Sequence, residues 1–287
     1  MATYYINADT GDDTTGDGSQ GNPWLTMSKA NSSSTSGDTI FCQNSTNTYI
    51  WETLTFGSNA RNIIGQSTDG VVFDAGNIDI GDGWRFYSAF FEVRNITFTG
   101  INTTDVRNGG FYINQFGVGS VDFYNCIFHD NTPSSGQGGL FTCYSNNQAV
   151  NIDTISLNGC LFYNHHRNVF GRTGARFNIY LNNTTFYFNA ITDLVVNITG
   201  GYGGTQAGIY CKNSIFANVQ GNTISLNDAP NVSSRTTLSY CCTSGGFQYY
   251  TDTENNFIDT DPLLIDPDNN NYNLSPSSPC IDAGTLI

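Results

Sequence analysis

Val121-Asp122-Phe123-Tyr124-Asn125-Cys126-Ile127-Phe128 is one of five similar stretches, and their shared pattern decides the fold. The second half of each is an Asn or Gly, two further residues and a Phe. It reads Asn95-Ile-Thr-Phe98, Asn125-Cys-Ile-Phe128, Gly159-Cys-Leu-Phe162, Asn183-Thr-Thr-Phe186 and Asn213-Ser-Ile-Phe216, with Phe-to-Phe steps of 30, 34, 24 and 30 residues. A short strand recurring at such a period marks a solenoid, propeller or array, in which each unit buries its apolar face against its neighbours.

The residues before each Asn or Gly choose among these. Four positions earlier stand Phe91, Val121, Ile155, Ile179 and Ile209; two positions earlier stand Val93, Phe123, Leu157, Leu181 and Cys211. Between them lie Glu92, Asp122, Ser156, Tyr180 and Tyr210, then Arg94, Tyr124, Asn158, Asn182 and Lys212. This alternation has period two, which a half-buried strand requires and a helix does not. Beyond the bend it resumes, with Ile96, Cys126, Cys160, Thr184, Ser214 and every Phe pointing inward. A strand, a bend at Asn and a second strand form one edge of a coil.

Composition agrees. In 287 residues there are 31 Gly, 14% aromatics and only 12% charged residues, which suits short strands joined by turns and argues against disorder. A net charge of −14, with Lys29 and Lys212 as the two lysines, would repel nucleic acid and anionic membranes. No apolar run is long enough for membrane insertion, and Met1-Ala-Thr-Tyr-Tyr-Ile lacks the basic and apolar regions of a signal peptide. An extracellular or virion-surface protein released by lysis fits that start. Eight Cys show no zinc-type spacing. Cys126 and Cys160 share an inward column on successive coils, as buried thiols or as a bridge. Cys241, Cys242 and Cys280 near the C-terminal end are also candidates for a bridge, with the pairing open.

The sequence divides into residues 1–37 as an N-terminal cap, 38–258 as coils and 259–287 as a closing cap, within one domain. The cap holds a strand at Tyr4-Tyr5-Ile6, an acidic turn-rich loop from Asp9 to Gly18, and a short helix over Pro23–Ala30 with Pro in its first turn. Asp9, Asp12, Asp13 and Asp17 are a candidate calcium site, since calcium takes several oxygen ligands; they lack EF-hand spacing, and a solvated turn accounts for them as well. No other cofactor is indicated. Leu238-Ser-Tyr-Cys-Cys-Thr reads as the last full coil.

The cap motif Tyr4-Tyr5-Ile6…Gly11-Asp12-Asp13…Asn22-Pro23-Trp24-Leu25-Thr26, the Asn-x-x-Phe coils and the tail Asp261-Pro-Leu…Leu274-Ser-Pro…Ser278-Pro-Cys-Ile-Asp-Ala-Gly284 together resemble the right-handed parallel β-helix proteins of the pectate-lyase-like superfamily. The resemblance spans nearly the whole chain. It implies an all-β fold, a single-stranded right-handed parallel β-helix capped at both ends, and a carbohydrate partner. It leaves activity open, because that superfamily holds lyases, hydrolases, tailspikes and non-catalytic adhesins.

Candidate chemistry lies on outward positions. Glu92 and Asp122 hold the same position on adjacent coils, where roughly 5 Å between carboxyl groups is the spacing of a retaining glycosidase; they equally make a surface ion pair with Arg94. The superfamily's lyases pair an Arg or Lys base with calcium-holding carboxylates. Arg94 beside Glu92 and Asp122 matches that set, without a third carboxylate. Tyr124, Tyr180, Tyr210, Asn158, Asn182 and Lys212 form a face suited to sugar rings, and also one suited to cross-strand packing. His129-Asp130 and His166 are candidates for acid-base chemistry, with Arg167 or Arg172 to hold a substrate carboxylate. Ile127, Leu161 and Ile215, one position before each Phe, form an outward apolar stripe for a homotrimer or a larger particle, or for covering loops. The expected function is a glycan-binding surface spike or adhesin; the alternative is a polysaccharide lyase or glycoside hydrolase.

Overall fold

The computed structural model describes residues 1–57, 60–87, 90–102, 109–114, 119–132, 139–144, 153–165, 168–171, 177–188, 196–199, 208–218, 224–227, 236–244 and 251–286. The chain is a parallel β-helix, as its repeats predict. The first sheet orders ten strands: Thr3–Ile6, Thr39–Cys42, Arg61–Gly65, Phe90–Arg94, Ser120–Tyr124, Asp153–Asn158, Phe177–Asn182, Gly208–Lys212, Thr236–Ser239 and Thr251–Glu254. A second sheet of eight strands carries the Phe column, and a third orders Phe111–Asn114, Phe141–Tyr144, Phe170–Gly171, Val196–Thr199 and Ile224–Asn227. Successive strands within each of these sheets pair in parallel. The third sheet is not foreseen by the repeat, because its strands follow the Phe at no fixed interval.

The Asn bend has a backbone cause. Asn95, Asn125, Asn183 and Asn213 have φ between 51° and 55°, and Gly159 has φ 64°. Asn and Gly tolerate the left-handed conformation that other residues adopt only at a cost. Tyr240, φ 54°, takes the same place one coil later, so Tyr240-Cys-Cys-Thr243 is a further repeat with the Asn and Phe both replaced.

Inside, identical positions stack. Phe73, Phe98, Phe128, Phe162, Phe186 and Phe216 are fully buried, with ring centroids 5.8, 5.5, 4.6, 4.7 and 5.1 Å apart in turn. The column after the bend accepts Cys, Thr or Ser for a shared reason. Cys126 Sγ donates to the Val93 carbonyl, Cys160 Sγ to Phe123, Thr184 Oγ1 to Leu157 and Ser214 Oγ to Leu181. Each hydroxyl or thiol thereby partners a carbonyl of the coil before it, which matters where water is excluded. Cys126 and Cys160 are free thiols, and burial pushes the Cys126 thiol well up.

The N-terminal segment packs on the first coil: Trp24 stacks on Tyr4 at 5.0 Å and its indole donates to the Gly16 carbonyl. The helix is Met27–Ser33, with Thr26 as its N-cap, so Pro23 precedes the helix instead of starting it. Met27 and Ala30 face the core. Arg61 occupies an inward position and reaches the carbonyls of Asn31 and Ser34 near the helix C-terminus, where a cation is favoured. Among the described residues no helix is long and apolar enough to cross a membrane.

The tail does more than close the solenoid. From Asp261 onward it doubles back along the coils. Tyr272 lies on Tyr163 and Tyr187 at 4.8 and 5.4 Å, and Thr285 exchanges two hydrogen bonds with the Asn213 side chain. Ile215 lines a cavity of about 210 Å³ beneath this tail, together with Cys280, Ala283 and Gly284, so the apolar stripe is covered there by the chain itself.

Candidate functional site

The outward face of the first sheet gathers the predicted site into two columns in register. One runs Asn62, Glu92, Asp122, Ser156, Tyr180, Tyr210 and Thr237; the other runs Ile64, Arg94, Tyr124, Asn158, Asn182, Lys212 and Ser239. Parallel strands place successive members roughly 4.8 Å apart.

At the acidic end Arg94 Nε donates to Glu92 Oε1, and its guanidinium lies 3.9 Å from the centroid of the Tyr124 ring. The hydrogen bond with Glu92 holds Arg94 more firmly protonated than usual, against some burial. Burial, then Asp122 and Glu92, push the Tyr124 hydroxyl up. Asp122 accepts from Ser120 Oγ at 2.9 Å. Glu92 and Asp122 are therefore cross-strand neighbours with different partners, Arg94 for one and a hydroxyl for the other.

At the far end Tyr180 and Tyr210 stack at 4.9 Å with 16° between their planes. Tyr210 is 37% exposed and lies back over Gly208, where an added Cβ would sit 2.6 Å from its ring and hydroxyl. Glycine two residues earlier on the same face thus lets this ring lie flat on the sheet. Between the ends Asn182 Nδ2 donates to Asn158 Oδ1 at 3.0 Å, which fixes both amides in line.

Two expectations are corrected. Lys212 Nζ donates to the Leu286 carbonyl, so the tail, and not open groove, takes this cation. The His129-Asp130 candidate pair lies apart from Glu92 and Asp122. His129 projects from the second sheet, beyond the Asn bend, with Nδ1 2.7 Å from Asp130 Oδ2 and its ring stacked on Tyr163 at 4.8 Å. His165 is fully buried, and His166, Arg167 and Arg172 lie outside the described residues. The second correction concerns calcium. Asp9 accepts from Thr46 and Asn47, Asp12 from Thr14 and Thr15, Asp13 from Leu25 and Thr26, and Asp17 from Ser19. Backbone N–H donors hold Asp9 and Asp12 below the ordinary carboxylate value, and the Ser19 side chain and N–H do the same for Asp17. These carboxylates fasten four separate turns, and no three His, Cys, Asp or Glu among the described residues converge as a metal site.

One residue was missed. Phe90, 59% exposed, pairs with Ser120 and stands two residues before Glu92 on the same face. An apolar side chain at an outward position was its available signal.

No family model matches the chain, and no curated protein matches it. Among solved structures it is similar to a rhamnogalacturonan lyase, with a TM-score of 0.53 and 14% identity over 88% of this chain and 75% of that one. At that identity the likeness concerns the fold alone, the parallel β-helix.

Proposed function

We propose that this protein acts on an extended polysaccharide lying along the outward face of the first sheet, parallel to the coil axis. The observation that carries the reading is the register. Phe90, the Arg94–Tyr124 pair, the Asn158–Asn182 amides and the Tyr180–Tyr210 stack stand on consecutive strands of one face. Aromatic faces and neutral amides, repeated along a line, suit a chain of sugar rings. Glu92 and Asp122 supply the chemistry. They stand in register on neighbouring strands, and strands roughly 4.8 Å apart bring such side chains within reach of the spacing of about 5–5.5 Å used in hydrolysis with retention. Glu92 is oriented by Arg94, and Asp122 by the Ser120 hydroxyl. Elimination is the second reading, favoured by the lyase with the similar fold. It asks Arg94 to accept a proton while Glu92 holds that proton in place.

Incubation with neutral and acidic polysaccharides separates the readings. New reducing ends without ultraviolet absorbance mean hydrolysis, and absorbance from an unsaturated product means elimination. Neither signal, with the polysaccharide still retained, leaves a binding spike. Activity that survives both Glu92→Gln and Asp122→Asn excludes the pair.

A further inference from the structure

We propose that Cys242 and Cys280 form a redox modification site, a disulfide that fastens the returning tail to the coils. Adjacent residues of a strand face opposite ways, and this separates Cys241 from Cys242. Cys241 continues the inward column of Cys126, Cys160, Thr184 and Ser214, fully buried, with its Sγ on the Ser239 carbonyl. Cys242 pairs with Ile215 in the outward column that the tail covers, and its Sγ lies 3.5 Å from the Thr260 carbonyl. Cys280 approaches from the tail. It and Cys242 line the same 210 Å³ cavity, with Ile215 and Gly284 beside them.

The tail is held in place around this contact. Ser278 Oγ donates to the Pro262 carbonyl and accepts from the Cys280 N–H, and Asn213 binds Thr285 five residues further on. Gly284 sits where a Cβ would come within 3.3 Å of the Asn213 amide. The two cysteines therefore face one cavity, with the tail anchored on both sides of Cys280.

The chemistry is asymmetric. Cys280 is the more exposed of the two, and the neighbouring thiols shift each other in opposite directions, Cys280 down and Cys242 up. Cys280 is thus the attacking thiolate. It attacks one sulfur of a small-molecule disulfide and expels one thiol. Cys242 then loses its proton and attacks the Cys280 sulfur of the mixed disulfide, expelling the second thiol. Two protein S–H groups are oxidised, and one disulfide is reduced to two thiols. A lasting bridge of this kind belongs to an oxidising compartment.

Reduced protein treated with glutathione disulfide, alkylated and mapped by mass spectrometry tests this. The expected result is loss of two of the eight thiols and one cross-linked peptide pair, joining the segments that hold Cys242 and Cys280. Cys241→Ser should leave that pair intact, and Cys280→Ser should abolish it. Limited proteolysis reads the consequence in folded protein: the tail of the oxidised wild type should be released more slowly than that of Cys280→Ser. A cross-link through Cys241, retention of all thiols, or equal release of the tail from the two proteins overturns the proposal.

Discussion

Removing the Tyr210 ring tests the sugar-binding face at its stacked-tyrosine end. An aromatic side chain buries about 150–250 Å² when fully enclosed, and Tyr210 is 37% exposed. A ligand covering that remainder would bury roughly 55–90 Å². At about 25 cal/mol per Å² this is about 1.4–2.3 kcal/mol, or roughly 10- to 50-fold in affinity. Tyr210→Ala should therefore weaken retention of a bound polysaccharide by that factor in affinity electrophoresis or calorimetry. The fold should survive, because losing the Tyr180 stack costs only about 0.5–1.5 kcal/mol. Tyr272→Ala, on the second-sheet side, is the matched control and should leave affinity unchanged. If Tyr210→Ala binds within twofold of the wild type, or Tyr272→Ala is the one that weakens binding, the first sheet is not the sugar face.

Other outcomes follow from the same geometry. Asn125→Ala should lose about 1–2 kcal/mol in denaturant unfolding, because alanine resists φ 51°, while Asn125→Gly should lie within about 0.5 kcal/mol of the wild type. Phe128→Ala removes a buried ring stacked on both neighbours and should cost about 3–5 kcal/mol; a loss under 1 kcal/mol would contradict the stacked core. Oxidation of the Cys242–Cys280 pair should raise stability by up to roughly 4 kcal/mol through loop closure, as read from unfolding with and without reductant. Asp38 accepts from Ala2 N, Thr35 N and Thr35 Oγ1, which lowers its pKa in the folded state. Its contribution is complete above the unfolded value of about 3.9 and disappears as pH falls through the lower folded value. Asp38→Asn should remove that part of the acid dependence of unfolding.

The repeat made the coils legible because period-two alternation and a left-handed Asn are local properties. Phe91, Val93, Ile96 and Phe98 declare their direction without reference to the rest of the chain, and Gly159 fits among the Asn residues for the same backbone reason. The first-sheet face was legible as a consequence, since register follows once the inward columns are aligned. What sequence could not show depends on contacts with no period. Tyr272 meets Tyr163 and Leu286 meets Lys212 across spacings that no repeat encodes. The cap loop misled in another way: Asp9, Asp12, Asp13 and Asp17 are close in sequence, but each turns to a different backbone segment. His129-Asp130 was legible as a cluster apart from Glu92, and the bend at Asn125 is what puts the two on different sheets. Cys241 and Cys242 were indistinguishable until the strand direction placed one inside and one beneath the tail.

The most direct test of the account is a crystal structure with an oligosaccharide from whichever polysaccharide the protein retains or cleaves. The sugar chain should lie along the first sheet, parallel to the coil axis, with a ring against Tyr180 and Tyr210 and the reacting bond near Glu92 and Asp122. An oligosaccharide seated instead against His129 and Tyr163, or in the roughly 680 Å³ groove lined by Tyr187, Asp259 and Asp261, would contradict it.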